Sequence, residues 1–164
     1  MSENTKNEYI HYPPFRPSLR GCVGRDTRLA AAVYTCSCEA LWSISENIYR
    51  SLIYKDCDTP LCDLFNELAE ADLERFRLLE ELFIALCENE KSKSPCCSNH
   101  RRTPATSRCQ HSHIQSALWE RRRNIDCFET LMRRTEDRVV RSVFAKILTL
   151  EESFCRRLES LCKE

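Results

Sequence analysis

Asp72 and Arg75 stand in the stretch LAEADLERFRLLEEL, on a helical stripe whose other members are Leu61, Phe65, Leu68, Leu79, Leu82 and Leu86. Arg121 interrupts a similar stripe of Leu118, Ile125, Phe128 and Met132, and Glu151 another of Val140, Phe144, Ile147, Phe154, Leu158 and Leu161. Positions three or four apart share one face of a helix, so each of these charges is flanked by apolar neighbours one turn away on either side. A charge on a core-facing stripe persists only if it is paired or bound to something. Two acids and two arginines suit a neutral cluster of crossed ion pairs. The spacing predicts that the four meet at one level, with Ala40 and Phe154 beside them and at least one direct Arg to carboxylate contact of about 2.7–3.2 Å.

A second set of reactive side chains is Cys96, Cys97, His100, Cys109, His111 and His113. Thiolate and imidazole together suit zinc or copper. Their spacing matches none of the familiar finger patterns, and the surrounding KSKSPCCSNHRRTPATSRCQH has no period. The chain contains twelve cysteines in all. Cysteine in a helix packs well as a small apolar residue, and Cys36, Cys38, Cys87, Cys127, Cys155 and Cys162 fall on or beside apolar stripes. A bundle so lined would also suit Cu(I) storage, although the C-x-x-x-C rows that place thiols one turn apart are missing. No nucleophile sits in a catalytic motif, and no glycine-rich phosphate loop is present.

The chain's 164 residues suffice for one domain with a real core. Two glycines amid abundant Leu, Glu and Arg favour helices over sheets. Lys+Arg and Asp+Glu both number 25, so charge gives no reason to expect nucleic acid or an anionic membrane as partner. No apolar run approaches the ~20 residues of a membrane span, and MSENTKNEYIHYPPF lacks the apolar centre of a leader peptide, so the expected location is the cytoplasm, with thiols reduced.

Residues 1–25, with HYPPFRP and both glycines, read as an extended arm lying on the domain or on a neighbouring subunit, the latter implying a homo-oligomer. The remainder, 26–164, divides into helices at about 27–54, 60–90, 113–134 and 137–162. Asp26 or Thr27 caps the first, Asp58 or Thr59 ahead of Pro60 starts the second, SHIQ forms a capping box for the third, and Thr135 or Asp137 starts the fourth. The first helix is apolar on more than one face, its best stripe being Val33, Cys36, Ala40, Ile44 and Ile48, with Glu39 one residue off it. Short links make helices one and two, and three and four, antiparallel hairpins. The connection at 91–112 is long enough to run the length of the bundle. An all-α, antiparallel four-helix bundle of ferritin-like layout, with one long crossover between helices two and three, is therefore expected.

The segments IHYPPF, DLERFRLLEEL, RRRNIDCFETLMRRTED and LTLEESFCRRLESL resemble the rubrerythrin-like, manganese-catalase-like branch of the ferritin-like superfamily. The resemblance implies two iron or manganese ions held by a glutamate on each of helices one and three and by an E-x-x-H motif on each of helices two and four. At those positions this chain has Asp72 and Arg75 on helix two, Glu151 and Phe154 on helix four, and Arg121, seven residues before Phe128, on helix three. Helix one offers Ala40, or Glu39 after a shift of one residue. Two arginines thus occupy the space of two dications, and no metal is expected at the bundle centre. The expected function is that of a binding or structural protein which has lost its di-metal centre. The alternatives are a residual oxidase, peroxidase or iron-handling protein using Glu39, Asp72 and Glu151, and a bundle that binds or stores copper or zinc through its cysteines and histidines.

Overall fold

The computed structural model describes residues 26–87 and 110–163. These form four α-helices: α1 (Thr27–Tyr54), α2 (Thr59–Cys87), α3 (Gln110–Arg134) and α4 (Arg138–Leu161). Among the described residues there is no strand, and no helix is long and apolar enough to cross a membrane. The arm at 1–25 and the candidate metal ligands Cys96, Cys97, His100 and Cys109 lie outside the described residues.

Aspartates set three of the helix starts. The Asp26 carboxylate accepts from the backbone N–H groups of Arg28 and Leu29, both at 3.0 Å. Asp58 accepts from Leu61 N–H at 3.1 Å, and Asp137 from Val139 and Val140 N–H at 2.8 and 3.2 Å. Each oxygen satisfies donors that have no partner inside the first turn, and a negative charge there also suits the helix dipole. α3 starts earlier than its capping box implies, because SHIQ lies inside the helix rather than at its boundary. Tertiary contacts hold this end of the helix: Gln110 Nε2 donates to Asp58 Oδ2 at 3.3 Å, and His113 Nδ1 lies 2.9 Å from the Tyr54 hydroxyl. His111 is therefore helical and does not belong to the 91–112 connection, and His113 lies on the third helix as expected.

Cross-helix partners give the direction of every helix. Asn47 meets Asp72 and Tyr34 meets Phe83, so α1 and α2 run antiparallel. Arg122 meets Glu159 and Phe128 meets Phe144, so α3 and α4 do likewise. Antiparallel contacts also join α1 to α3, through Cys36 with Cys127 and Tyr54 with His113, and α2 to α4, through Glu67 with Arg157 and Arg75 with Glu151. Along α2 and α3 the partner numbers rise together, from Asp58 with Gln110 to Asp72 with Arg121. Those two helices thus point the same way, and the end of α2 and the start of α3 lie at opposite ends of a four-helix bundle.

The buried apolar residues form two separate clusters. One gathers Leu79, Leu82, Leu86, Phe128, Val140, Phe144 and Ile147 with the first half of α1. The other gathers Tyr54, Phe65, Leu68, Ile114, Leu118 and Leu158 at the opposite end. Asp72, Arg75, Arg121 and Glu151 fall between the two in sequence and in space, and all four are buried.

The second half of α1 departs from the apolar stripe assigned to it. Ala40 is buried, but the residues that follow it inward are Ser43, Asn47, Arg50 and Tyr54, whereas Ile48 is 46 % exposed and Ile44 only half-buried. The more apolar edge of this half-helix, with Leu41, Ile48, Tyr49 and Leu52, faces outward. The inner side carries amide and guanidinium groups because carboxylates on its neighbours require donors there.

Candidate functional site

Arg121 is the hub of the polar layer. Its guanidinium grips Asp72 as a fork, Nη1 donating to Oδ1 at 2.7 Å and Nη2 to Oδ2 at 2.8 Å, and Nη1 also lies 3.3 Å from both oxygens of Glu151. Two parallel N–H to oxygen bonds of this kind give both geometric specificity and strength. Arg75 closes the square: its Nη1 donates to Glu151 Oε1 at 2.6 Å, and its Nη2 lies 3.2 Å from Asp72 Oδ1. Each carboxylate touches both arginines, and each arginine both carboxylates, so the set is neutral. Two asparagines complete the coordination, Asn47 Nδ2 donating to Asp72 Oδ2 at 2.8 Å and Asn124 Nδ2 to Glu151 Oε2 at 3.3 Å. The half-buried Phe154 presents its ring face to Arg121, with the guanidinium carbon 5.8 Å from the ring centroid, which is within cation–π range.

At Glu151 and Arg121 burial opposes ionisation, and nearby opposite charge outweighs it. For Glu151, desolvation pushes the carboxyl pKa up, but the Arg121 and Arg75 guanidiniums outweigh it, so the value lies below 4.5. For Arg121, burial alone would favour losing the proton, and the Glu151 and Asp72 carboxylates overcome that. Glu151 and Arg121 are thus ionised at neutral pH. Glu151 contributes stability that is fully present above its ordinary 4.5 and is lost as pH falls through its depressed folded value.

Ala40 is fully buried, whereas the neighbouring Glu39 is 39 % exposed and pairs with Arg123 at 2.9 Å. Of the two candidates for the helix-one contribution, α1 therefore turns Ala40 inward and sends Glu39 to the rim. Its polar contribution to the layer comes instead from Asn47. The signal for Asn47 was present in the sequence: Ala40, Ser43, Asn47, Arg50 and Tyr54 follow the same three-and-four spacing as an apolar stripe.

Asn47 also carries the network to a second polar group that the sequence reading missed. Its Oδ1 accepts from Arg50 Nη1 at 3.2 Å, and Arg50 Nη2 reaches Glu46 Oε1 at 3.3 Å, Ser116 Oγ at 3.2 Å and Glu120 Oε1 at 3.8 Å. Arg50 is buried, its guanidinium carbon 5.7 Å from the Phe65 ring centroid. One guanidinium here faces two acids. Burial is the largest influence on Glu120 and raises its pKa above 4.5 against the pull of Arg50. An acid whose folded pKa is raised weakens the fold once pH exceeds its unfolded value, in full above the folded value. Glu120→Gln is therefore expected to raise the melting temperature at pH 7, with the gain shrinking to nothing below about pH 4.5. Melting curves across pH 4–8 measure this, and a variant that melts lower at pH 7 contradicts it.

Of the six metal-ligand candidates from Cys96 to His113, only His111 and His113 are described. His113 is buried against Tyr54, while the exposed His111 lies 2.6 Å from Gln115 Nε2. Among the described residues no group of three or more His, Cys, Asp or Glu side chains is arranged to hold a metal ion. Compared with family models, curated proteins and solved structures, the chain matches none.

Proposed function

We propose that this protein is a ferritin-like bundle in which ion pairs have taken the place of a di-metal centre, and that it acts as a non-catalytic binding or structural protein. One observation carries the reading: the fork from Arg121 to Asp72, closed into a square by Arg75 and Glu151. The residues present do not fit a pair of divalent ions. Both carboxylates already have their lone pairs directed at N–H donors, and dications placed among two guanidiniums would be repelled strongly in so dry a setting. Phe154 offers no ligand atom where the resemblance calls for imidazole, and Glu39, the third acid an oxidase would use, is engaged with Arg123 at the rim. The parallel course of α2 and α3 further supports the ferritin-like assignment, since that fold has one long connection between its middle helices.

The test is elemental analysis. The purified chain is incubated anaerobically with excess Fe(II) or Mn(II), passed through a desalting column and digested. Iron and manganese well below one per chain are expected. About two of either per chain would overturn the proposal and restore the oxidase reading.

A further inference from the structure

Cys36 on α1 and Cys127 on α3 bring their sulfur atoms to 3.8 Å, near one end of the seam between the two hairpins. Cys36 is buried among Val33, Leu79 and Phe128, while Cys127 is half-buried at the edge of the same cluster. One turn away on each helix, Glu39 and Arg123 pair across the seam at 2.9 Å. We infer that Cys36 and Cys127 form a peroxide-oxidisable dithiol, Cys127 the attacking sulfur and Cys36 the resolving one, whose disulfide ties the α1–α2 hairpin to the α3–α4 hairpin.

Contact, accessibility and charge divide the roles. Peroxide can reach a half-buried sulfur more readily than a buried one. The thiol of Cys36 can donate to a Cys127 thiolate, and this hydrogen bond, helped by Arg123, lowers the Cys127 pKa to about 7 against the effects of burial and Glu39. The same partnership, with burial, pushes Cys36 up, so that it stays protonated until called upon. A thiolate on the accessible side and a thiol behind it is the arrangement that reactive cysteine pairs require.

The reaction balances with hydrogen peroxide as the oxidant. The Cys127 thiolate attacks one peroxide oxygen, the O–O bond breaks, and hydroxide leaves as the sulfenic acid S–OH forms. That hydroxide takes the proton of Cys36 to give water. The Cys36 sulfur then attacks the sulfenic sulfur, the S–S bond forms, and a second hydroxide departs. Two thiol sulfurs are oxidised by two electrons and one peroxide is reduced by two. Bond formation draws the sulfurs from 3.8 Å to about 2.05 Å, which requires side-chain rotation and a small approach of α1 and α3.

The experiment is oxidation of the fully reduced chain with one equivalent of hydrogen peroxide, followed by alkylation and non-reducing peptide mapping. The expected result is the loss of two thiols per chain, with the peptides of Cys36 and Cys127 joined as the main product, and a rate whose pH midpoint lies below that of an ordinary thiol. In Cys36→Ser, Cys127 should accumulate as a sulfenic acid that dimedone captures. The proposal is overturned if the first link joins other cysteines, or if Cys127 remains a thiol after one equivalent while the exposed Cys57 has reacted. The mapping of the unmodified sequence decides the matter even if the serine variant folds poorly.

Discussion

Arg121→Ala is expected to cost the fold about 3–5 kcal/mol, because it leaves two buried carboxylates to share one arginine. Asp72 would keep Asn47 and the longer contact to Arg75, and Glu151 would keep Arg75 and Asn124, but the layer would carry a net negative charge with no access to water. For a chain of this length such a loss lowers the melting temperature by roughly 6–20 °C. The control is Arg122→Ala. Arg122 neighbours Arg121 and also makes a salt bridge, to Glu159 at 2.8 Å, but its side chain is 60 % exposed, and its removal should leave the midpoint nearly unchanged. Urea unfolding followed by circular dichroism measures both. Equal effects from the two substitutions would mean that Arg121 is not holding the layer together.

The second large effect is a reversal of sign. In the native chain, Asp72→Asn removes one of two negative charges facing two arginines, and it should destabilise by an amount similar to that of Arg121→Ala. In a chain already carrying Arg121→Ala, the same change restores neutrality. It leaves Arg75 and Glu151 as a pair at 2.6 Å, and the new amide oxygen can still accept from Asn47. Asp72→Asn is therefore expected to stabilise that background, so the coupling between the two substitutions must exceed the about 3–5 kcal/mol that Asp72→Asn costs in the native chain. Additive losses in the double variant would show that shape, not charge balance, governs the layer. Arg75 Nε is buried without a hydrogen-bond partner among the described residues, so the native layer is itself incompletely satisfied.

The residues that disclosed the layer in the sequence were those that broke a pattern. A charge standing in a run of leucines on α2, or between Ile147 and Phe154 on α4, is conspicuous because its neighbours fix which way it points. The structure brings those four side chains together at bonding distance. Helix starts were legible for a similar reason, since Asp26, Asp58 and Asp137 act through bonds to residues two or three positions away. α1 was harder to read because its inner face is polar where it meets other polar residues. Following apolar residues led to Ile44 and Ile48, whereas Asn47 and Arg50 turn inward to meet Asp72, Glu46 and Glu120, and two of those three partners lie on other helices. The contact of Cys36 with Cys127 likewise depends on the packing of α1 against α3, which neither helix reveals alone.

The division of the apolar core by an ionic layer has a mechanical consequence. Leucine-rich helices can slide along one another by a turn, about 5.4 Å, and still bury comparable oily surface, so packing alone discriminates weakly between such alignments. Here a slide of α3 by one turn would carry Arg121 away from Asp72, towards Leu68 in one direction or Arg75 in the other, leaving a guanidinium in hydrocarbon or against its like charge and Asp72 with Arg75 as its remaining cation. A slide of α4 would do the same with Glu151. The layer thus acts as a detent, a single low-energy notch along the bundle axis, and it holds both hairpins at a common height while residues 88–109 join α2 to α3.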